Sequence, residues 1–136
     1  MCIRDRLEQR AADGPANLFV EHTDGLVLLD HGLSTDSLAG LHLFFPDPWP
    51  KTRHHKRRFV RPDVLDLLAD RLQSGAVLLV ATDVADYAAW AQDHLDAHPG
   101  FEGGVTERPV WRQRTRYEQA GLDAGRTIVD LAYRRC

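Results

Sequence analysis

The sequence lacks any long hydrophobic run. Its 136 residues are 43% hydrophobic and 27% charged, yet no apolar stretch approaches the roughly 20 residues that a transmembrane helix needs. The first residues, Met1 to Arg6, lead into a polar stretch and not into the apolar core of a secretory signal. The two cysteines, Cys2 and Cys136, form no disulfide framework, which is typical of a reducing compartment. The composition therefore predicts one soluble globular domain in the cytoplasm, with no membrane contact.

Acidic residues are absent from one segment of the chain. Residues 48–62 contain no Asp or Glu and six basic residues, which are Lys51, Arg53, Lys56, Arg57, Arg58 and Arg61. Residues 63–107 reverse the balance, with nine acidic residues against Arg71 alone. The net charge of −3 is therefore the sum of an acidic body and a basic segment. Such a segment predicts a local contact with a polyanion.

Hydrophobic patterns predict strands that alternate with helices. Two nearly continuous apolar runs are typical of strands buried on both faces, as in a parallel sheet. Strand, helix, strand and helix in this order indicate an α/β fold, and two later strands are expected to pair antiparallel at the end of the sheet. The predicted elements are a strand over Asn17–Glu21, a short helix over Gly25–Leu33, a buried strand over Leu41–Phe45, a helix that begins at Pro62 and is closed by Gly75, a buried strand over Ala76–Ala81, a helix over Val84–His98, and strands over Val105–Trp111 and Thr127–Tyr133.

Aspartates follow the predicted strands. Asp47 and Asp83 come directly after the two buried strands, and Asp24 follows the first strand candidate by a few residues. Open α/β sheets bind ligands at the carboxyl ends of their strands, so these acids are candidates for one binding rim. The alternative for each is that the carboxylate only caps the next helix. Asp47 is distinctive because it lies in a rigid Pro-Asp-Pro-Trp turn, which favours holding a planar base.

The basic run Lys51–Arg58 follows that turn directly. Guanidinium groups match phosphate oxygens as planar forks, and Lys acts as a point charge. A solvated surface is the alternative for any charge run. His54 and His55 are interpreted as RNA or loop contacts and not as metal ligands, because no cysteine or acid pair lies at zinc spacing. The sequence predicts no metal site.

The segment Phe44–Arg58 resembles the signature of the bacterial tRNA (guanine-7-)-methyltransferases. Ala81-Thr82-Asp83 is similar to a second motif of that family, and Thr115–Glu118 resembles its late Thr-Lys-Phe-Glu motif, with Arg for Lys and Tyr for Phe. The resemblance covers about residues 17–134. It implies a class I, Rossmann-like fold and transfer of a methyl group from S-adenosylmethionine to a guanine at position 46 of tRNA.

The resemblance also implies roles for individual residues. Asp47 is the implied active-site acid and touches the cofactor, and Asp24 matches a cofactor-binding acid near the adenine. The implied substrate-binding residues are Lys51, Asp83, Thr115, Arg116, Tyr117 and Glu118. The implied RNA contacts are Arg53, His54, His55, Lys56, Arg57 and Arg58.

Two features of this fold are missing from the sequence. The Gly-rich turn after the first strand and the ribose-binding acid after the second strand have no counterpart before Asn17. We therefore expect residues 1–136 to form one incomplete methyltransferase domain, truncated at its N-terminus and inactive alone, with residues 1–16 as a tail or frayed helix. We also expect a bare edge on the Leu41–Phe45 strand and residues 18–21 either unpaired or shifted against it.

Other functions stay open at this point. A non-catalytic RNA-binding module is the main alternative, in which the acids merely cap helices. A nucleotide hydrolase is disfavoured because no phosphate-binding Gly-rich loop exists. Trp90 is interpreted as a packing residue, whereas Trp111 is either a strand residue or a platform for RNA bases. The oligomeric state is not determined, and a monomer is favoured.

Overall fold

The computed structural model describes residues 12–136. Its contacts divide the chain into two compact units, Met1–Gly32 and Leu33–Cys136. The expected tail or frayed helix over residues 1–16 falls largely outside the described residues. Among the residues that are described, no helix is long and apolar enough to cross a membrane.

In the first unit, a short helix α1 (Gly25–Val27) continues into a wider π-helical turn over Leu28–Gly32. A helix was predicted at this position. The strand predicted over Asn17–Glu21 is wrong, because these residues are exposed and form no strand. Residues 12–32 contain no other strand with which they can pair, and an unpaired strand leaves its backbone groups unsatisfied. Residues 18–21 are therefore unpaired, which is one of the two expected outcomes.

The second unit is an α/β unit built on one sheet. Its elements are β1 (Leu38–Phe44), a 3₁₀ helix (Thr52–Arg57), α2 (Pro62–Arg71), β2 (Leu72–Thr82), α3 (Ala85–Ala97), β3 (Phe101–Thr106), α4 (Arg116–Asp123) and β4 (Val129–Arg135). The strand order is β1-β2-β4-β3. β1 and β2 pair parallel, and β4 pairs antiparallel with both β2 and β3. Three strands thus run one way and β4 runs the other, which confirms the predicted fold class and the antiparallel C-terminal pair.

The core lies on β2 and the two helices that flank it in sequence. β2 occupies the centre of the sheet, and residues 78–82 are all buried. The buried faces of α2 and α3 follow helical spacing, and they consist of Val64, Leu65 and Leu68 on α2 and of Tyr87, Ala88, Ala91 and Leu95 on α3. Trp90 is half-buried, stacks on the His94 ring at 4.1 Å between centroids and donates its ring N–H to the Val60 carbonyl at 2.6 Å, so its predicted packing role is confirmed.

β1 is less buried than its sequence predicts. None of its residues is fully buried, although an apolar run of this kind favours burial on both faces. The reason is its position, since β1 is at one edge of the four-stranded sheet and pairs only with β2. The expected bare edge on this strand is confirmed for the part of the chain that the structure describes.

The third strand is displaced from its predicted position. It spans Phe101–Thr106 and not Val105–Trp111, and it includes Gly103 and Gly104, which precede the predicted strand. A Cβ atom on Gly103 would lie 2.1 Å from the Ala132 carbonyl oxygen. The absence of a side chain at Gly103 is therefore what allows β3 to approach β4 so closely.

Candidate functional site

Two of the strand-end acids and the start of α4 meet in one cavity. The cavity has a volume of about 270 Å³ and is lined by Phe45, Pro46, Asp47, Pro48, Asp83, Val84 and Tyr117. Asp47 comes from the loop after β1, and Asp83 comes from the end of β2. The parallel pairing of β1 and β2 brings these two carboxyl ends to the same rim of the sheet.

The turn that carries Asp47 has an unusual backbone. Phe45 and Trp49 have φ values of 52° and 42°, in the left-handed region that non-glycine residues seldom adopt. The Phe45 amide donates to the Ala81 carbonyl at 2.7 Å, which ties the start of the turn to β2. Asp47 is exposed. Its carboxylate makes no hydrogen bond or ion pair within residues 12–136, so it is available to a ligand.

Asp83 is held by partners from the end of the chain. It accepts a hydrogen bond from Arg126 Nε at 2.8 Å and a longer one from the Tyr117 hydroxyl at 3.4 Å. Asp83 does not cap α3, because Val84 occupies the N-cap position and no side chain accepts a capping hydrogen bond there. The capping alternative therefore fails for Asp83.

Asp24 behaves differently. Its carboxylate accepts a hydrogen bond from the Leu26 amide at 2.8 Å and caps α1. This is the capping role that any strand-end aspartate can have. Asp24 belongs to the first unit, so the cavity at the sheet rim is described without it. Its predicted contact with a cofactor stays a prediction.

The basic segment forms the 3₁₀ helix beside the turn. Its exposed members, Lys51, Arg53, Lys56 and Arg57, present their charges to solvent. The Arg57 guanidinium lies over the Trp49 ring, 4.9 Å from its centroid. His54 and His55 are half-buried and contact aromatic rings edge-on, those of Trp49 and Trp90 respectively. The aromatic contacts join this helix both to the turn and to α3.

Arg58 is a correction to the predicted RNA contacts. Its side chain is 0% exposed, so its guanidinium cannot reach a phosphate in this structure. It donates instead to Asp86 Oδ2 at 2.5 Å. This hydrogen bond holds the pKa of the Asp86 carboxyl below its usual value. On the other side of Arg58, burial raises the pKa of the Tyr87 hydroxyl.

The late motif divides into exposed and buried residues. Thr115 caps α4, since its hydroxyl accepts from the Glu118 amide at 3.1 Å. Arg116 and Tyr117 are exposed, and the Tyr117 ring meets the Phe45 ring edge-on at 5.4 Å. Glu118 is only 1% exposed, and both of its carboxylate oxygens accept from Arg112, at 2.7 and 3.1 Å. The side chain of Glu118 is therefore engaged inside the protein and is not free for substrate.

Sequence reasoning missed Arg112. It is 4% exposed and also donates twice to Asp130 of β4, with both distances 3.0 Å. Burial lowers the pKa of Arg112, but the hydrogen bonds to Glu118 and Asp130 outweigh it and raise the pKa overall. One signal was present in the sequence, because Asp130 stands between the apolar residues Val129 and Leu131, and a buried carboxylate needs a partner.

The mixed sheet, with a cavity and two acids at the carboxyl ends of β1 and β2, is a partial Rossmann-like α/β fold. Residues 2–131 match a family model described as "Putative methyltransferase", and the chain belongs to that methyltransferase family.

The relatives are more specific. The chain is 48% identical over 127 residues to the tRNA (guanine-N(7)-)-methyltransferase of Streptomyces avermitilis, which covers 90% of this chain and 44% of that protein. It is 49% identical over 124 residues to the protein of the same name from Streptomyces coelicolor. That match covers 88% of this chain and 46% of the Streptomyces coelicolor protein. For the Nocardioides sp. protein of that name, the identity is 47% over 133 residues. That match covers 98% of this chain and 54% of the Nocardioides protein. The chain thus spans about half the length of these curated relatives.

One solved structure gives a more distant likeness. It is an S-adenosylmethionine-dependent O-methyltransferase from Thermotoga maritima, with 15% sequence identity and a TM-score of 0.42. The match covers 79% of this chain and 37% of that one. A likeness at this level adds nothing to the family assignment.

Proposed function

We propose that this chain is part of a single methyltransferase domain that transfers a methyl group from S-adenosylmethionine to N7 of guanine 46 in tRNA. The observation that carries the proposal is the cavity that joins Asp47, Asp83 and Tyr117 beside an exposed basic segment. Membership of the methyltransferase family and the names of the relatives support it. A local basic segment on an acidic chain suits a tRNA backbone, and we propose that the protein acts in the cytoplasm as a monomer.

The size of the cavity favours one base. Its volume of about 270 Å³ lies below the range of roughly 300–1,000 Å³ that is typical of small-molecule pockets. Phe45 and Tyr117 supply apolar and aromatic wall, and the carboxylates supply acceptors for the edge of the base. A flipped guanine is read in this way, by stacking and by hydrogen bonds to its edge.

The residues present also fit part of the cofactor. S-adenosylmethionine supplies a methyl group on a positively charged sulfonium. Asp47 is exposed and has no partner within the described residues, so its negative charge suits that cation. Asp24 remains the proposed contact near the adenine.

Asp47 then acts as a fixed charge. Guanine N7 already carries a free lone pair, so no residue has to remove a proton from it. The ring becomes cationic as the methyl group arrives, and a nearby carboxylate stabilises that charge. The main task of the chain is positioning, in which the turn and Tyr117 hold N7 in line with the methyl group. Exposed Lys51, Arg53, Lys56 and Arg57 bind the RNA backbone.

The test is transfer of a labelled methyl group to a tRNA transcript. We would assay the 136-residue chain and a fusion of residues 17–136 to the N-terminal half of the Streptomyces avermitilis relative. We expect little or no turnover from the chain, and turnover from the fusion that is lost when guanine 46 of the transcript is replaced by adenine. A fusion that folds and binds tRNA but transfers no methyl group would favour the non-catalytic RNA-binding module.

Asp47→Asn in the fusion tests the role of the acid. Loss of one preorganised electrostatic contact typically costs about 10²–10³ in turnover. We therefore expect turnover to fall by about that factor, with tRNA affinity nearly unchanged. Near-normal turnover in Asp47→Asn would refute the electrostatic role.

A further inference from the structure

Arg57 and Arg58 are adjacent in the sequence and opposite in environment. Arg57 is exposed, whereas the Arg58 side chain is completely buried. A buried arginine is stable only when hydrogen bonds and an opposite charge compensate the loss of its hydration. The partners of Arg58 therefore indicate what its burial serves.

The Arg58 guanidinium joins the Asp47 turn to α3. Its Nε donates to the Pro48 carbonyl at 2.9 Å, and its Nη2 donates to Asp86 at the start of α3. The guanidinium also lies over the rings of Tyr87 and Trp90, 5.5 and 5.0 Å from their centroids. One side chain thus contacts both the Asp47 turn and the N-terminal part of α3.

The turn has few hydrogen bonds of its own. Three of the five residues in Pro46–Pro50 are prolines, which have no backbone N–H to donate. Within the described part of the chain, the bond from Arg58 to Pro48 is the one hydrogen bond that residues 46–50 make. The left-handed φ of Trp49, in the same turn, also needs support from its surroundings.

We propose that Arg58 is a positioning residue, which holds the Asp47 turn against α3 through the Pro48 carbonyl and does not contact RNA. The importance of this for methyl transfer rests on the proposed function, because Asp47 is the acid that the turn presents. Lysine cannot replace Arg58, since an ammonium group does not reproduce the planar fork that bonds two acceptors while it stacks on aromatic rings.

The three tryptophans provide a direct test in the 136-residue chain. We would label the chain with 5-fluorotryptophan and record its ¹⁹F resonances, assigned by single Trp→Phe substitutions. Trp49 lies in the turn, the Trp90 ring lies under the Arg58 guanidinium, and Trp111 stacks on the His42 ring of β1, 5.0 Å between centroids. In Arg58→Lys we expect the Trp49 resonance to shift and its H₂O/D₂O isotope effect to increase, while Trp111 stays unchanged.

The matched control is Lys56→Ala, an exposed residue of the same 3₁₀ helix, for which no change at Trp49 is expected. If Arg58→Lys does not fold, Asp86→Asn removes one partner of Arg58 and is expected to shift Trp49 in the same direction. A folded Arg58→Lys variant with an unaltered Trp49 resonance and isotope effect would overturn the proposal.

Salt dependence of tRNA binding separates positioning from phosphate contact. Each lost phosphate contact lowers the slope of log affinity against log salt by about one. We expect Arg57→Met to lower the slope by about one and Arg58→Met to leave it unchanged. An equal loss of slope in Arg58→Met would mean that Arg58 contacts phosphate, and the proposal would be wrong. If the wild-type chain shows no salt-dependent binding, the RNA part of the proposed function fails, and the ¹⁹F measurement still decides the role of Arg58.

Discussion

Arg112 is a buried residue that connects α4, which contributes Tyr117 to the candidate site, with β4. It connects Glu118 at the start of α4 with Asp130 on β4, and its guanidinium lies over the Phe44 ring at 5.5 Å. The residue next to Glu118 is Tyr117, which lines the cavity. The contacts of Glu118 thus tie the start of α4, which presents Tyr117, to Arg112 and through it to β4.

Removal of Arg112 is expected to destabilise the protein strongly. Arg112→Met leaves two buried carboxylates without a cation, which typically costs about 3–5 kcal/mol. Urea unfolding measures this loss as a lower midpoint. Arg114→Met, at an exposed arginine two positions later, is the control and should change stability by no more than about 0.5 kcal/mol.

The same network provides its own rescue. Adding Glu118→Gln and Asp130→Asn to Arg112→Met replaces the two unpaired buried carboxylates by neutral amides, so part of the lost stability should return. A triple variant that is less stable than Arg112→Met would contradict the electrostatic explanation.

Asp86 gives the fold a defined pH dependence. Its folded-state pKa is lowered chiefly by the hydrogen bond from Arg58, relative to an unfolded value near 3.8. The stabilisation is therefore complete above pH 3.8 and is lost as the pH falls through the lowered folded-state pKa. We expect Asp86→Asn to lower the urea midpoint at neutral pH, and the difference from wild type to shrink in acid. Glu107→Gln, at an exposed acid, is the control; a difference that persists unchanged below pH 3 would count against this linkage.

The sequence predicted part of the site at the residue scale. Asp47 and Asp83 were identified because the carboxyl ends of parallel strands share a rim, and the cavity brings them together. Arg58 and Glu118 were assigned to ligand contact by the family resemblance, and the sequence does not distinguish an exposed charge from a buried one. Their burial depends on partners 28 and 6 residues away in the chain, Asp86 and Arg112.

At the scale of elements, the C-terminal strands depend on one glycine. Gly103 pairs with Tyr133, and the β4 backbone occupies the space that a side chain on Gly103 would need. The predicted strand began after these two glycines, and glycine is unfavourable in most strands. Here close approach of two backbones makes glycine necessary.

Gly103→Ala is expected to weaken the pairing of β3 with β4. The added Cβ meets backbone and not a flexible side chain, so the variant should lose about 1–3 kcal/mol of stability in urea unfolding. Gly104→Ala is a close control, because a Cβ at that position has no atom within 4 Å. Equal stability of the two variants would show that β4 can move away from β3 without loss of stability.

At the scale of the whole molecule, the stability of the second unit is concentrated in the middle of its sheet. β2 and β4 are paired on both sides, whereas β1 and β3 form the edges. We expect hydrogen exchange of backbone amides to be slowest in β2 and β4, and faster in β1, where amides that point away from β2 have no partner strand among residues 12–136. Native-state exchange followed by NMR measures this order. Uniform protection across all four strands would contradict it.

The sequence by itself determined the fold class, the parallel pair with its acidic rim, and the family signature over Phe44–Arg58. These features follow from hydrophobic periodicity and from short local motifs, so they can be predicted from the sequence. Only the tertiary structure decided that β1 is an edge strand, that Arg58 is buried and donates to the Pro48 carbonyl, and that Arg112 pairs with Glu118 and Asp130. Those outcomes depend on which distant residues share a buried space, and local sequence patterns do not encode that choice.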